Sequence, residues 1–362
     1  MTGAAMNVIR VVVVDDSAVM RALLRLTLAS CADIELIGVA VDGAAGLEAI
    51  ERLRPDLVLL DIEMPAMNGL EVLAEIRSRR LPVKVMMCST LTRRGAGVTL
   101  EALASGASDY VAKPEAQHGV REGMEALNRE LLPKMRALFY RHARNAICVA
   151  PRRRFVTAAT TCGVLVVGVS TGGPAALEQF LPALPPDFPL PVLIAQHMPA
   201  LFTALLAERL DGLCRIPVHE ALPGEVLQRG MVYLARGDRH MRAVGSAAHC
   251  ALHFTEAGSE QVCRPSVDVL FRSAAAVYGA GVLAVMLTGM GSDGLDGCRA
   301  ISAAGGRILV QDCESSAVWG MPGAVARAGL ADQILPLHAL AAEIVRSTAR
   351  SIPRSDSRPT AR

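Results

Sequence analysis

The sequence predicts two α/β domains, each built on a doubly wound parallel sheet with helices on both faces. Apolar runs alternate with amphipathic segments in two separate stretches of the chain, which is the pattern of consecutive βα units. The chain has 362 residues, which suits two domains of about 150 residues each. Its composition is 52% hydrophobic and 20% charged, so both domains can bury a core, and chain-wide disorder is excluded.

Five short apolar runs predict the strands of the first domain. Apolar residues in the segments between them have the spacing of amphipathic helices, as in residues 19–28, 46–53 and 70–77. Because the runs and the helical segments alternate, the strands are expected to be parallel. The predicted strands are residues 8–14, 34–39, 57–60, 83–88 and 110–112.

The alternation stops at residues 115–160, where the chain becomes basic. Residues 121–154 contain nine Lys or Arg and three Glu. Apolar residues over 122–142 have helical spacing, and the sequence PRRR follows at 151–154. We interpret residues 121–160 as a linker that contains one helix and a basic flexible segment.

The βα alternation returns in residues 161–347 and predicts a second, larger domain, which leaves residues 1–120 for the first. The part from 217 to 264 has Gly-bearing turns and is expected to form paired strands. Residues 348–362 are rich in Ser, Pro and Arg and are predicted to be a disordered tail. The predicted strands are residues 164–169, 192–196, 231–235, 251–254, 283–288 and 307–311.

Charge and composition argue against several classes of function. The net charge is +2 and aromatic residues make up 3%, so no nucleic-acid partner is expected. The uncharged stretches 155–177 and 273–292 contain Gly and Ser or Thr, so we interpret them as buried strands with turns and expect no membrane insertion. The nine Cys lack metal-ligand spacing and the chain starts without a signal peptide, so a cytoplasmic location is expected.

The first candidate site lies at the carboxyl ends of the first domain's strands, where open α/β sheets bind ligands. Asp15, Asp16 and Asp61, called the acidic cluster below, are at the ends of two of these strands. Neighbouring carboxylates repel one another unless a cation neutralises them, and such oxygen ligands suit Mg²⁺. With the metal bound, one carboxylate can accept a phosphoryl group, whose oxygens Ser89 and Lys113 can hold from two further strand ends.

Four motifs in this region resemble those of response-regulator receiver domains, and the resemblance covers the whole first domain. It implies a flavodoxin-like fold in which Asp61 is the phosphoacceptor and the acidic cluster binds the Mg²⁺ used in phosphorylation. It also implies that Ser89, or the adjacent Thr90, is the switch hydroxyl and that Lys113 pairs with the phosphoryl group. The motifs are VVDDS at 13–17, LLDIEMPAMNGL at 59–70, VMMCSTLT at 85–92 and ASGASDYVAKP at 104–114.

The second candidate site begins at a Gly-rich turn after the first strand of the second domain. A dinucleotide-binding GxGxxG motif needs Gly where Ser170 stands, and a P-loop needs Lys where Pro174 follows the glycines. Both phosphate-binding motifs are therefore excluded. Residues 168–172 instead fit GxSxG, in which the glycines allow a sharp turn that exposes the serine hydroxyl.

A nucleophilic serine needs a general base, and the base needs a group that orients it. His197 lies just beyond the next predicted strand. Residues 284–297 then form a third strand and a Gly-rich loop with Asp293 and Asp296, either of which can orient the base. The order Ser, His, Asp differs from the Ser, Asp, His order of α/β-hydrolases, so that fold is not expected.

Six segments of the second domain resemble the CheB-type protein-glutamate methylesterases of chemotaxis, in which receiver, linker and esterase occur in this order. The resemblance implies a Rossmann-like domain with Ser170 as nucleophile, His197 as general base and Asp293 as the orienting residue. Thr171 and Met290 match positions beside the oxyanion site, where the Met290 backbone N–H is expected to donate. The segments are residues 168–174, 195–203, 232–241, 264–275, 286–297 and 311–324.

The resemblance implies a phosphorylation-activated serine hydrolase that serves chemotactic adaptation. Its substrates would be glutamate methyl esters, and some glutamines for deamidation, in the cytoplasmic domains of methyl-accepting chemoreceptors. A CheA-type histidine kinase would supply the phosphoryl group, and the ester hydrolysis would need no cofactor. One alternative is a regulator whose second domain binds receptors without catalysis. Another is a DNA-binding regulator, which the lack of a helix-turn-helix pattern disfavours.

Overall fold

The chain divides into two compact units, Met1–Ala146 and Ile147–Arg362. A computed structural model describes residues 8–114, 119–139, 162–256 and 263–349. Each unit contains an all-parallel main sheet with helices between the strands, which confirms the predicted fold class. Within these described ranges, no helix has the length and apolar character needed to cross a membrane.

The first unit is a five-stranded sheet in the order β2-β1-β3-β4-β5. The order reverses between β1 and β3, so the carboxyl ends of these two strands border the crevice where such sheets bind ligands. The strands are β1 (Ile9–Val14), β2 (Ile34–Ala40), β3 (Leu57–Asp61), β4 (Lys84–Ser89) and β5 (Asp109–Ala112). The helices are α1 (Ala18–Ala29), α2 (Gly43–Leu53), α3 (Gly69–Ser78), α4 (Arg93–Ala104) and α5 (Val120–Phe139).

The turn after β3 is fixed by the way α3 begins. The Asn68 side chain accepts a hydrogen bond from Glu71 N (3.0 Å), and the Glu71 carboxylate accepts one from Asn68 N (2.8 Å). This reciprocal capping satisfies two N–H groups that the helix itself leaves free. A Cβ on Gly69 would overlap the carbonyl oxygen of Asp61. Glycine therefore lets the start of α3 lie directly against Asp61.

Helix α5 falls in the segment that the sequence analysis interprets as a linker. In the structure it packs on the first unit. Leu131 and Met135 are fully buried on its apolar face. Arg136 forms a two-bonded ion pair with Asp33 (2.7 and 2.8 Å), the residue just before β2. The predicted helix is therefore present, and its apolar face is buried against the first unit and not exposed in a linker. The rest of the predicted linker, including its basic segment, lies outside the described residues.

The second unit is a seven-stranded parallel sheet in the order β14-β13-β12-β6-β7-β9-β8, beside a two-stranded antiparallel sheet β10-β11. The order reverses between β6 and β12. The strands are β6 (Val164–Val169), β7 (Val192–Gln196), β8 (Val218–Glu220), β9 (Val232–Leu234), β10 (His240–Ser246), β11 (His249–Thr255), β12 (Val282–Met286), β13 (Arg307–Gln311) and β14 (Gln333–Leu335). The helices are α6 (Gly173–Phe180), α7 (Ala200–Leu213), α8 (Val267–Tyr278), α9 (Leu295–Ala303), α10 (Met321–Arg327) and α11 (Leu337–Ala349).

The central strands of this sheet match the sequence-based prediction, whereas the strands toward its edges differ from it. The central strands β6, β7 and β12 are almost completely buried and match the predicted apolar runs. Of the region predicted as paired strands, only β10 and β11 form a hairpin, whereas β8 and β9 join the main sheet in parallel. Strand β14 was not predicted. Helix α11 continues through residues 348 and 349 of the predicted tail, and residues 350–362 lie outside the described part of the chain.

Candidate active site

The structure brings the acidic cluster together at the carboxyl edge of the first sheet. Ligand oxygens of Asp15, Asp16 and Asp61 all lie within 4.8 Å of one another. The Lys113 ammonium lies 2.8 Å from both Asp15 Oδ2 and Asp61 Oδ1. Three carboxylates and one ammonium leave an excess of negative charge. This set of oxygen donors fits a hard divalent cation such as Mg²⁺.

Burial controls the charge of Asp61, which is 4% exposed. Removal from water raises the pKa of Asp61 to about 6, and the nearby Asp15 carboxylate also raises it, while Lys113 opposes both effects. For Lys113, burial lowers the pKa, but the hydrogen bonds to the two carboxylates outweigh burial and raise it. Lys113 is therefore held as a cation beside Asp61.

Ser89, the predicted switch hydroxyl, ends β4 and is fully buried. Its hydroxyl donates to Thr90 O (3.1 Å) and accepts from Thr99 Oγ1 (2.7 Å). Its carbonyl accepts from Lys113 N (2.7 Å), so the two predicted residues are main-chain neighbours. The structure thus shows the Ser89 hydroxyl bonded to α4 and its own loop. The alternative Thr90 points its hydroxyl at Thr92 Oγ1 (3.3 Å).

Ser170 lies on a tight turn between β6 and α6 in the second unit. Its N–H donates to Thr288 O (3.0 Å), and its carbonyl accepts from Gly173 N (2.8 Å). Gly172 has φ +75°, a left-handed conformation that a residue without Cβ adopts most easily. The Ser170 hydroxyl makes no hydrogen bond to any described residue. The main chain of the serine is therefore fixed while its hydroxyl is left available.

His197 and Asp293 are in direct contact, as the predicted pairing of base and orienting residue requires. His197 Nε2 lies 2.8 Å from Asp293 Oδ2. The other predicted carboxylate, Asp296, instead pairs with Arg299 on the exposed face of α9. The geometry therefore selects Asp293 from the two acidic residues of the loop.

The surroundings of Asp293 favour its ionised form, and the ionised carboxylate favours the protonated form of His197. Ser266 Oγ (3.0 Å) and Val267 N (2.7 Å) donate to the Asp293 carboxylate from the start of α8. Burial raises the pKa of Asp293, but His197 and the backbone N–H groups of Asp268 and Val267 outweigh it and lower the pKa to about 2. Burial lowers the pKa of His197, but Asp293 and the Cys263 thiol outweigh it and raise the pKa to about 9. The site thus stabilises an imidazolium strongly.

Ser170 and His197 follow adjacent strands at the same level of the sheet. Val169 and Gln196 are register partners, and His197 N donates to Val169 O (3.1 Å). Adjacent strands lie about 4.8 Å apart, so the next residues, Ser170 and His197, are neighbours. No hydrogen bond joins their side chains among the described residues. His197 and Asp293 are therefore in direct contact, and Ser170 lies at the end of the strand next to that of His197.

Thr171 follows Ser170 in the turn, and Met290 lies on the loop after β12. Their backbone N–H groups have no acceptor among the described residues. A Cβ on Gly289 would lie 2.8 Å from Ser170 Cβ, so the loop after β12 passes directly against the serine. Free N–H groups beside a nucleophile are the donors that a developing oxyanion needs.

Sequence reasoning missed three residues that support the site. Gln196 donates from its side chain to the carbonyls of Ser170 and His197, and Ser266 donates to Asp293. Cys263 lies near the His197 ring. A signal existed only for Gln196, because a glutamine at the end of an otherwise apolar strand is unusual in a buried sheet.

Comparison with known proteins shows the family of the chain. Residues 165–344 match the model of the CheB methylesterase family, and residues 11–125 match that of the response regulator receiver domain. A protein-glutamate methylesterase/protein-glutamine glutaminase of Trichodesmium erythraeum is 44% identical over 345 residues, which cover 93% of this chain and 98% of the relative. The chain belongs to the CheB methylesterase family.

Further similarities to CheB proteins cover both the whole chain and the second unit. A protein-glutamate methylesterase/protein-glutamine glutaminase of a Nocardioides species is 47% identical, over 95% of this chain and 97% of the relative. The crystal structure of the Thermotoga maritima CheB methylesterase catalytic domain is 36% identical with a TM-score of 0.50. It covers 51% of this chain and 98% of the Thermotoga chain.

Proposed function

We propose that this CheB protein hydrolyses glutamate methyl esters of methyl-accepting chemoreceptors, and deamidates certain receptor glutamines, with Ser170 as nucleophile. The observation that carries the proposal is the 2.8 Å contact between His197 and Asp293 at the strand end next to the Ser170 turn. This contact supplies an oriented base beside a serine whose hydroxyl is free. The family relationship supplies the substrate class, since close relatives are named as methylesterases and glutaminases.

The reaction proceeds by acyl transfer through a covalent glutamyl-serine ester. His197 accepts the Ser170 proton while the serine oxygen attacks the ester carbonyl, and the resulting imidazolium is stabilised by Asp293. The tetrahedral intermediate collapses with loss of methanol, which takes the proton from His197. Water then attacks the acyl-enzyme with the same base and releases glutamate. With a glutamine substrate, ammonia leaves in place of methanol and the remaining steps are the same.

The oxyanion of each tetrahedral intermediate is held by the backbone N–H groups of Thr171 and Met290. Both groups are free of other acceptors among the described residues, so they can bind the oxyanion without first breaking a bond. One of the two residues belongs to the turn itself and the other to the loop after β12.

Phosphorylation of Asp61 in the receiver regulates this activity. Asp15, Asp16 and Asp61 would hold the Mg²⁺, which when bound would supply charge neutralisation at the phosphoryl group. Lys113 contacts the phosphoryl oxygens, and the Ser89 hydroxyl turns its donated hydrogen bond from Thr90 O to the phosphoryl group. The phosphodonor is a CheA-type histidine kinase, and the protein acts in the cytoplasm on receptor cytoplasmic domains. The receiver comprises residues 1–120, with α5 packed on it, and a linker up to residue 160 joins it to an esterase domain of residues 161–347.

Methanol release from a methylated chemoreceptor tests the proposal directly. The wild-type protein is expected to release methanol, faster with a small phosphodonor, and Ser170→Ala is expected to release none. Ser246→Ala changes an exposed serine of the β10-β11 turn and is the matched control, expected to keep full activity. If Ser170→Ala retained methanol release, the nucleophile would be wrong. If the wild type bound the receptor without releasing methanol, the non-catalytic alternative would replace the proposal.

A further inference from the structure

Gln196 is the one polar residue of β7, a strand at the centre of the second sheet. The four residues before it are apolar and fully buried, and Gln196 itself is 1% exposed. Burial of an amide costs free energy unless hydrogen bonds replace those to water. The partners of this side chain therefore show what it contributes.

Both amide N–H groups of Gln196 are used on the two residues proposed as nucleophile and base. Nε2 donates to the carbonyl oxygen of Ser170 (3.0 Å) and to that of His197 (3.2 Å). Both partners are acceptors, so only the amide nitrogen can face them, which fixes the orientation of the group. One side chain thus connects the main chains of Ser170 and His197 where their reacting side chains begin.

The amide oxygen of Gln196 lies against the start of α6, where it has no hydrogen-bond donor among the described residues. A Cβ on Gly173 would overlap this oxygen, so the turn accommodates the amide only because residue 173 is glycine. An apolar side chain of similar size would fill the space without an unpaired acceptor. Packing alone therefore does not explain the glutamine, whereas its two donated bonds do.

We propose that Gln196 is a positioning residue for the hydrolytic reaction, which holds the main chain of Ser170 at a fixed distance from that of His197. The inference rests on the proposed function, because it concerns the same nucleophile and base. The Ser170 N–H is held from the β12 side by Thr288 O (3.0 Å), and Gln196 holds the carbonyl from the β7 side. Since the Ser170 hydroxyl makes no hydrogen bond within the described part of the chain, its approach to the imidazole depends on these main-chain contacts.

The test compares two glutamine-to-methionine substitutions in the full-length protein. Gln196→Met removes both donors at nearly constant side-chain length. Gln333→Met removes the bond from Gln333 Nε2 to Glu343 Oε1 (2.8 Å) on the edge strand β14 and serves as the matched control. Rates are measured as methanol release from a methylated chemoreceptor cytoplasmic domain, and folding is measured by thermal melting.

Gln196→Met is expected to lower kcat by about 10- to 100-fold, because small displacements of reacting groups have effects of this size. KM is expected to stay within about twofold, because no substrate contact is removed. Gln333→Met is expected to keep both constants within about twofold of wild type. If the substitution only unfolded part of the protein, the rate would fall in proportion to the folded fraction. We therefore calculate kcat per mole of folded protein.

Gln196→Glu provides a second variant of the same size if the methionine variant folds poorly. Its carboxylate would face the two carbonyl oxygens and repel them, so an equal or larger loss of kcat is expected. Wild-type kcat in either folded variant would overturn the inference, as would a loss expressed in KM. Failure of both variants to fold would also overturn it, because Gln196 would then be a residue of the fold. A wild-type protein without methanol release would refute the proposed function instead.

Discussion

Asp293→Asn tests how the site stabilises the charged base. The substitution keeps the size of the side chain but removes the negative charge 2.8 Å from His197 Nε2. The amide also retains a single acceptor oxygen for donors that include Ser266 Oγ and Val267 N. We therefore expect a loss of activity together with a lower melting temperature.

The size of the effect follows from the pKa of His197. Burial lowers this pKa, yet Asp293 and Cys263 raise it from 6.5 to about 9. At about 1.4 kcal/mol per pKa unit, the difference corresponds to roughly 3 kcal/mol in favour of the imidazolium. The base becomes an imidazolium in the transition state, so losing most of this stabilisation should lower kcat by roughly 10²- to 10³-fold at pH values above the wild-type midpoint, where the base is neutral in both proteins.

The pH dependence of kcat/KM separates this effect from misfolding. The base must be neutral to accept a proton, so wild-type activity should rise with pH and level off above a midpoint near 9, the pKa of His197. In Asp293→Asn the imidazolium is less stable, and the midpoint should move to lower pH. The midpoint does not depend on the fraction of folded enzyme, so it reports on the base alone.

The assay is methanol release from a methylated receptor fragment at pH values from about 6 to 10, a range that covers the ordinary and the raised pKa of the base. Asp296→Asn is the matched control, because it makes the same change at an exposed position of the same segment. An unchanged midpoint in Asp293→Asn, or a kcat close to that of wild type at pH values above the wild-type midpoint, would refute the reasoning.

Three further predictions concern the receiver and the nucleophile turn. Asp61→Asn should abolish the increase in methanol release that a small phosphodonor produces, and a persistent increase would place the phosphoacceptor elsewhere. Gly289→Ala should lower both kcat and the melting temperature, because its Cβ would overlap the sulfur of the buried Met321 and lie 2.8 Å from Ser170 Cβ; unchanged kcat per folded protein would show that the loop moves without displacing Ser170. Leu131→Ala should destabilise the receiver by about 2–5 kcal/mol in urea melts, because it empties a fully buried position of α5. The exposed Arg129→Ala is the control, and equal melts would mean that α5 does not stabilise the unit.

The central strands could be predicted from sequence because burial on both faces produces continuous apolar runs. Residues 164–167 of β6 are fully buried and lie in such a run. The edge strands β8 and β14 have three residues each, and all three of β14 are only partly buried, so they carry no comparable pattern. The helical spacing of α5 was visible, but its packing was not. Its ion pair from Arg136 to Asp33 joins residues 103 positions apart.

The residues of the candidate site that lie at strand ends could be predicted from the sequence. Ser170, His197 and Asp293 follow three separate apolar runs, and family resemblance supplied their roles. From the residues alone, Asp293 and Asp296 were equivalent, and only the fold shows that Asp293 faces the imidazole. The sequence shows that Gln196 is a polar residue at the end of an apolar run, but not that its amide donates to the carbonyls of Ser170 and His197.

A double-mutant cycle on Ser170 and His197 tests most directly whether the two residues act as one unit. The values to compare are kcat/KM for Ser170→Ala, His197→Gln and the double variant. If the histidine acts only by activating the serine, the double variant should be no slower than the slower single variant. Losses that multiply in the double variant would show that the two residues contribute independently, and would contradict the proposed triad.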